Sequence, residues 1–279
     1  MALSPAMQKL VANAKNKYSR GGGNRIKPKE GVNRYRILVP NPEEKFWADL
    51  GVHWIKEDPN GKPVAVVGCE DIVHDAPCPI CTAIDLAISS AIDEDSRKLY
   101  SEWRARKSVL LNVLDRSKGS TNPDDVQILE VSTGTFGDIM GIVQQYADEG
   151  EDIFDPNSGL DIAIEKQGKG LNTKYTVNVA AGKNHAPVTA AHLKGCHDLS
   201  AHIEKEFFRG DEQKALNFIA QIAHINVPRL GAPAGASART PTAALTSAAA
   251  KVKETTPDLT ADLDEDDTPP FDVEEAAAP

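Results

Sequence analysis

Long apolar runs are missing from these 279 residues: nowhere do eighteen hydrophobic positions follow one another, as a membrane-spanning helix requires. The opening stretch MALSPAMQKLVANAK also lacks the continuous apolar segment of a secretory signal, so a cytoplasmic protein without a membrane partner is expected. The common catalytic signatures are absent as well. There is no P-loop, no G-x-G-x-x-G after a strand, no G-x-S-x-G and no H-E-x-x-H, which favours a binding protein over an enzyme. No repeat of twenty to fifty residues occurs, and the last 26 residues contain no lysine or arginine at all.

What is present is enough to fold, since 41% of the residues are hydrophobic. The net charge of -10 is divided unevenly along the chain. Residues 1–36 hold nine Lys/Arg and one acid, residues 37–253 hold twenty-two against thirty, and residues 254–279 hold none against ten. A basic arm, a mildly acidic body and a polyanionic tail imply that the two ends have separate electrostatic roles.

Ser4 and Pro5 start a short amphipathic helix with Met7, Leu10, Val11 and Ala14 on one face, and Gly21-Gly22-Gly23 ends it in a joint. The basic arm is therefore expected to be tethered, with its later cations Arg25, Lys27 and Lys29 moving with it. Five to seven short strands follow, with helices inserted over 82–107, after residue 132 and over 189–226. This pattern predicts an α+β fold with a mainly β core, namely an OB-fold: a five-stranded, partly open barrel with an inserted subdomain and helical additions. The C-terminal helices are expected to cover the barrel. The chain divides into an arm over 1–23, a core over 24–228, an Ala/Pro/Gly linker over 229–253 and a disordered acidic tail over 254–279.

His53, Cys69, Cys78 and Cys81 carry the sharpest signal. Cys-Pro-Ile-Cys turns two thiolates toward one point, while His53 and Cys69 fall on the arms of the preceding hairpin, which suits one tetrahedral Zn²⁺. Four protein ligands would make the site structural, stapling a loop with little apolar core of its own. His74 is the competing fourth ligand, whereas Cys196 and His197 have no companions at ligand spacing. A zinc nucleobase deaminase would share Pro-Cys-x-x-Cys, but its general acid/base Glu is replaced here by Ile55, and Cys69 would be idle. A glutaredoxin-like pair at Cys78 and Cys81 would leave both His53 and Cys69 without a role.

Binding a flexible polyanion without reading sequence requires cations for phosphates and flat side chains for bases. LYSEWRARKS supplies both through Tyr100, Trp103, Arg104, Arg106 and Lys107, and a second basic excess at Lys166, Lys169 and Lys174 adjoins Tyr175. Trp47, Trp54, Tyr35 and Phe136 are stackers or core residues. Read from NRYRILVP through GVHWIK, VVGCE, PCPIC, LYSEWRARKSVLLNVL, TFGDIMGIV and KQGKGLNTKYTVNV, the chain resembles the helix-destabilising single-stranded DNA-binding proteins of T-even phages over about residues 33–180. That resemblance implies a zinc-stapled OB-fold with His53, Cys69, Cys78 and Cys81 as ligands and His74 as a bystander. It also implies DNA contacts at Arg36, Tyr100, Arg104, Arg106, Lys174 and Tyr175, and a role in phage DNA replication, recombination and repair.

The sequence departs from that family's pattern in places. Val109-Leu110 stands where the family has an aromatic pair, VQILEVS lacks an expected Tyr and Arg, and KNKYSR is a looser form of the arm through which neighbours associate along DNA. The tail segment DEDDTPPFDVEE is similar to the acidic tips of bacterial single-stranded DNA-binding proteins, which recruit replication and recombination enzymes. Asp264, Glu265, Asp266, Asp267, Pro270 and Phe271 are the residues expected to do so here. An anionic tail can also compete with DNA for the protein's own basic groove.

Overall fold

The computed structural model describes residues 25–227, apart from 60, 121 and 182–185. The expected arm over 1–23, the linker, and the tail with Asp264, Glu265, Asp266, Asp267, Pro270 and Phe271 lie outside the described residues. In chain order the elements are β1 (Arg25–Ile26), β2 (Gly31–Ile37), β3 (Trp47–Lys56), β4 (Pro63–Gly68), α1 (Glu70–His74), α2 (Pro79–Ser90) and α3 (Glu94–Glu102). They continue with β5 (Arg106–Asp115), β6 (Val126–Ser132), α4 (Thr133–Asp148), β7 (Ile162–Gln167) and β8 (Lys174–Val179). α5 (Ala190–Lys194), α6 (Leu199–Phe207) and α7 (Glu212–Ala223) complete the described chain. This is an α+β arrangement built on one mainly antiparallel sheet of eight strands, more than the five to seven read from sequence.

β5 organises the sheet because it is apolar on both faces. Val109, Leu111 and Val113 point into one core with Tyr35, Ile37, Leu129, Val131, Ile139, Ile162 and Ile164. Leu110 points the other way, toward Leu50, Val52, Ile128 and the α6 residues Leu199, Ile203 and Phe207. A strand covered on both faces carries such a continuous apolar run.

One edge of β5 is shared by two partners in succession. β3 pairs with residues 106–111 and β2 with residues 113–115, while β6 takes the other edge from Ser108 to Leu114. The register passes from one partner to the next without a gap, since the Leu38 N–H bonds the Asn112 carbonyl at 2.9 Å between the two ladders. β7 and β8 extend the sheet beyond β2, and the short β1 runs parallel to β6. Arg25, expected in the mobile arm, is thus held in register with Ile128, because its main chain completes the β6 edge.

Beyond residue 52, β3 leaves β5 and continues as a hairpin with β4. This hairpin, α1, α2 and α3 form a module inserted before β5. Contrary to the expectation of a nearly coreless loop, Ile55, Val67, Ile80, Ile84, Tyr100 and Trp103 pack there with Leu216 and Ile219 of α7. The C-terminal helices accordingly divide their work: α6 lies on the sheet, whereas α7 closes the module.

Candidate metal centre and nucleic-acid interface

The strand period places His53 on the module side of β3, next to Ile55 and opposite Val52 and Trp54. Cys69 ends β4 and caps α1, and Cys78 caps α2 with Pro79 in its first turn, so Cys81 comes round onto the same side. Gly51 lets this junction close. A Cβ there would sit 2.6 Å from Ile72 Cδ1 and 3.0 Å from Cys69 Cβ, while its carbonyl accepts the Cys69 N–H at 2.9 Å.

The four donor atoms of His53, Cys69, Cys78 and Cys81 all lie within 4.8 Å of one another. His53 Nε2 is 3.6 Å from both Cys78 Sγ and Cys81 Sγ, and Cys69 Sγ is 3.6 Å from Cys81 Sγ. A tetrahedral ion bonded to sulfur at about 2.3 Å and nitrogen at about 2.0 Å has donor edges of roughly 3.8 Å and 3.5 Å, so the spacing fits a single ion. His53 Nδ1 donates to the Trp103 carbonyl at 2.9 Å, which leaves Nε2 as the lone-pair donor facing the thiols. A hydrogen bond donated by Cys69 holds the Cys78 thiol low and raises Cys69 itself, and burial pushes Cys81 up to about 11. A cation bound there would displace the thiol protons and hold all three sulfurs as thiolates.

His74 is not part of this cluster. Its Nδ1 and Nε2 each lie 2.6 Å from a carboxylate, those of Glu70 and Glu204, so the competing ligand is occupied in joining α1 to α6.

A groove of about 510 Å³ opens where the sheet face covered by α6 runs on past that helix. Val52 and Trp54 of β3, Arg106 and Ser108 of β5, and Glu130 and Ser132 of β6 floor it, with Phe207 at the end of α6 as its boundary. Arg104, Lys107 and Tyr175 also line it, as do Arg25 and Lys27 from the start of the described chain and the acidic Glu102. The Tyr175 ring carries Lys166 Nζ at 5.8 Å, and Lys169 and Lys174 are exposed on the β7–β8 turn beside it. Exposed Arg104 also pairs with Asp85 at 2.8 Å.

Three residues expected to touch DNA are instead interior, and this corrects the sequence reading. The Arg36 guanidinium is fully buried, donating to the Asp155 carbonyl at 2.6 Å and lying 3.9 Å from Asp161, with its pKa lowered by that burial. Trp103 is 0% exposed and gives its indole N–H to the Lys56 carbonyl at 2.8 Å. Tyr100 packs on Trp103 with ring centroids 4.9 Å apart and planes tilted by 36°, and donates its hydroxyl to the Ile222 carbonyl at 3.3 Å. Neither ring has a face left for a base.

Residues 29–220 match the family model described as gp32 DNA binding protein like, more than half of the chain. The chain belongs to this DNA-binding family. No curated protein sequence gives a significant match. The gp32-like span includes all four metal-site residues and Arg104, Arg106, Lys107 and Tyr175, but it begins after Arg25 and Lys27. The sequence reading places those two cations in the arm and not in a groove, and it leaves Trp54 open between stacker and core. Trp54 was findable from strand alternation once His53 was assigned to the metal, since neighbours on a strand face opposite ways. Among the described residues, no helix is long and apolar enough to cross a membrane.

Proposed function

We propose that the protein binds single-stranded DNA without regard to sequence, through the groove over β3, β5 and β6, and that it is not an enzyme. The observation carrying this reading is the convergence of Arg104, Arg106 and Lys107 with the half-buried rings of Trp54 and Tyr175 around one groove in a DNA-binding family. Duplex DNA keeps its bases stacked inside, so only unpaired strands offer base faces to Trp54 and Tyr175 while their phosphates meet the cations. Lys166, Lys169 and Lys174 extend the cationic track past Tyr175. Stacking on a π-face is common to all bases, which makes the binding indifferent to sequence.

The mainly antiparallel sheet of short strands with helical insertions, in which β2 and β3 share one edge of β5, is compatible with an OB-type barrel as the scaffold. The metal is read as one structural Zn²⁺: His53, Cys69, Cys78 and Cys81 close its shell and leave no position for a reacting water. Ile55, fully buried, occupies the place where a deaminase needs a proton-shuttling Glu, which argues against that enzyme. In the same reading a phage-type protein coats and protects strands in the host cytoplasm during replication, recombination and repair. Its arm carries neighbour-to-neighbour association, and its acidic tail at Asp264–Asp267 with Pro270 and Phe271 recruits replication and recombination enzymes.

Titration of labelled oligo-dT and of a duplex of equal length, at about 50 and 200 mM salt, tests the reading. The expected outcome is a strong preference for oligo-dT with an affinity that falls steeply as salt rises. Equal binding of both, or none, refutes it.

A further inference from the structure

Glu130 is the anomaly of the groove. It stands on β6 opposite Leu110 of β5, one residue past the β1 pairing at Ile128 and Leu129, and its side chain is only 13% exposed. Three donors from two other strands and the segment after β1 converge on it: Arg25 Nε at 3.3 Å, Lys27 Nζ at 3.5 Å and Ser108 Oγ at 3.1 Å. Its Oε2 nevertheless accepts no hydrogen bond among the described residues. A guanidinium, an ammonium and a hydroxyl around one anion are the donor set by which proteins hold a phosphodiester.

We infer that Arg25, Lys27 and Ser108 form a phosphate subsite of the groove, occupied in the free protein by the Glu130 carboxylate and taken over by a backbone phosphate of the bound strand. The inference rests on the proposed single-stranded DNA binding and specifies a site within it. A strand entering the groove draws Arg25 and Lys27 away from Glu130 and leaves a carboxylate beside the phosphate, so Glu130 lowers affinity. It also sets the exchange at the root of the N-terminal arm, since Arg25 and Lys27 are where that arm joins the sheet.

The alternative, that Glu130 merely pins β1, predicts the opposite sign. Oligo-dT titrations of the full-length wild type, Glu130→Gln, the Arg25→Gln, Lys27→Gln pair, and all three substitutions together separate the two. The subsite requires Glu130→Gln to bind about threefold to tenfold more tightly at about 50 mM salt. Its salt slope steepens by about 0.7 for each cation released. The Arg25→Gln, Lys27→Gln pair binds more weakly than wild type, and adding Glu130→Gln to it restores nothing. Unchanged or weaker binding by Glu130→Gln, with wild type binding normally, overturns the subsite and leaves the proposed function standing. A wild type that does not bind oligo-dT overturns both.

Discussion

Trp54 and Trp103 lie on either side of the same module edge, one facing the groove and the other sealed inside. Replacing Trp103 by Ala removes a fully buried indole, its hydrogen bond to Lys56 and its packing on Tyr100. The expected loss is about 3–5 kcal/mol of stability, measured by thermal or denaturant unfolding. Replacing Trp54 by Ala removes a half-buried ring from the groove lining. There the expected loss is in oligo-dT affinity, about 1–3 kcal/mol, with little change in the melting temperature. Lys107→Ala should leave stability intact and lower the salt slope of binding by about 0.7. If Trp54→Ala melted the protein and left binding unchanged, the assignment of the two rings would be reversed. The metal-site residues were legible in sequence because four ligands at short spacing carry a geometric requirement within themselves. Burial of Trp103 and Tyr100 was not legible. It depends on α7, more than a hundred residues downstream, and the same basic, aromatic string reads equally well as a nucleic-acid surface until that helix is in place.

At the scale of elements, the module is held by two fastenings besides its core. One is the His53, Cys69, Cys78, Cys81 cluster, which joins the β3–β4 hairpin to α2. Cys78→Ser, or a chelator, should abolish metal binding and lower the melting temperature, while the packing of α7 on α2 keeps the module from unfolding outright. Metal analysis should give about one equivalent for wild type. The other fastening is His74 between Glu70 of α1 and Glu204 of α6, whose hydrogen bond to Glu70 raises its pKa. A histidine with a raised folded-state pKa contributes fully below its unfolded value of about 6.5 and ceases to contribute as pH rises through the folded value. His74→Gln should therefore lower the melting temperature at pH 6 more than at pH 9, an effect kept small because the trio is partly exposed. An equal loss at both pH values would count against a charged clamp. The strands of this region and a helical stretch over 82–107 were readable from their periodicity, whereas the five residues of α1 were not and the stretch proved to be two helices. The β1 pairing was not, since two residues have no period and find their place only against β6.

For the molecule as a whole, charge is sorted by position. The sheet face past α6 gathers cations, and residues 254–279 bring ten acids with no compensating base. If that tail competes for the groove, its removal should tighten oligo-dT binding at low salt and have little effect at high salt, where screening already weakens the competition. Unchanged affinity at low salt would rule the competition out. Arg36 illustrates what only the whole fold reveals: the loop bearing Asp155 and Asp161 closes over a side chain that its own strand cannot show to be buried. The single hydrogen bond from His53 to the Trp103 carbonyl has a wider consequence, because the next residue in the chain is Arg104, on the rim of the groove. The candidate metal site, the indole and the guanidinium are thus linked in tandem. Withdrawal of the ion would slacken His53, then the turn at Trp103, then the aim of Arg104, so a nucleic acid that never touches the metal would still sense its departure.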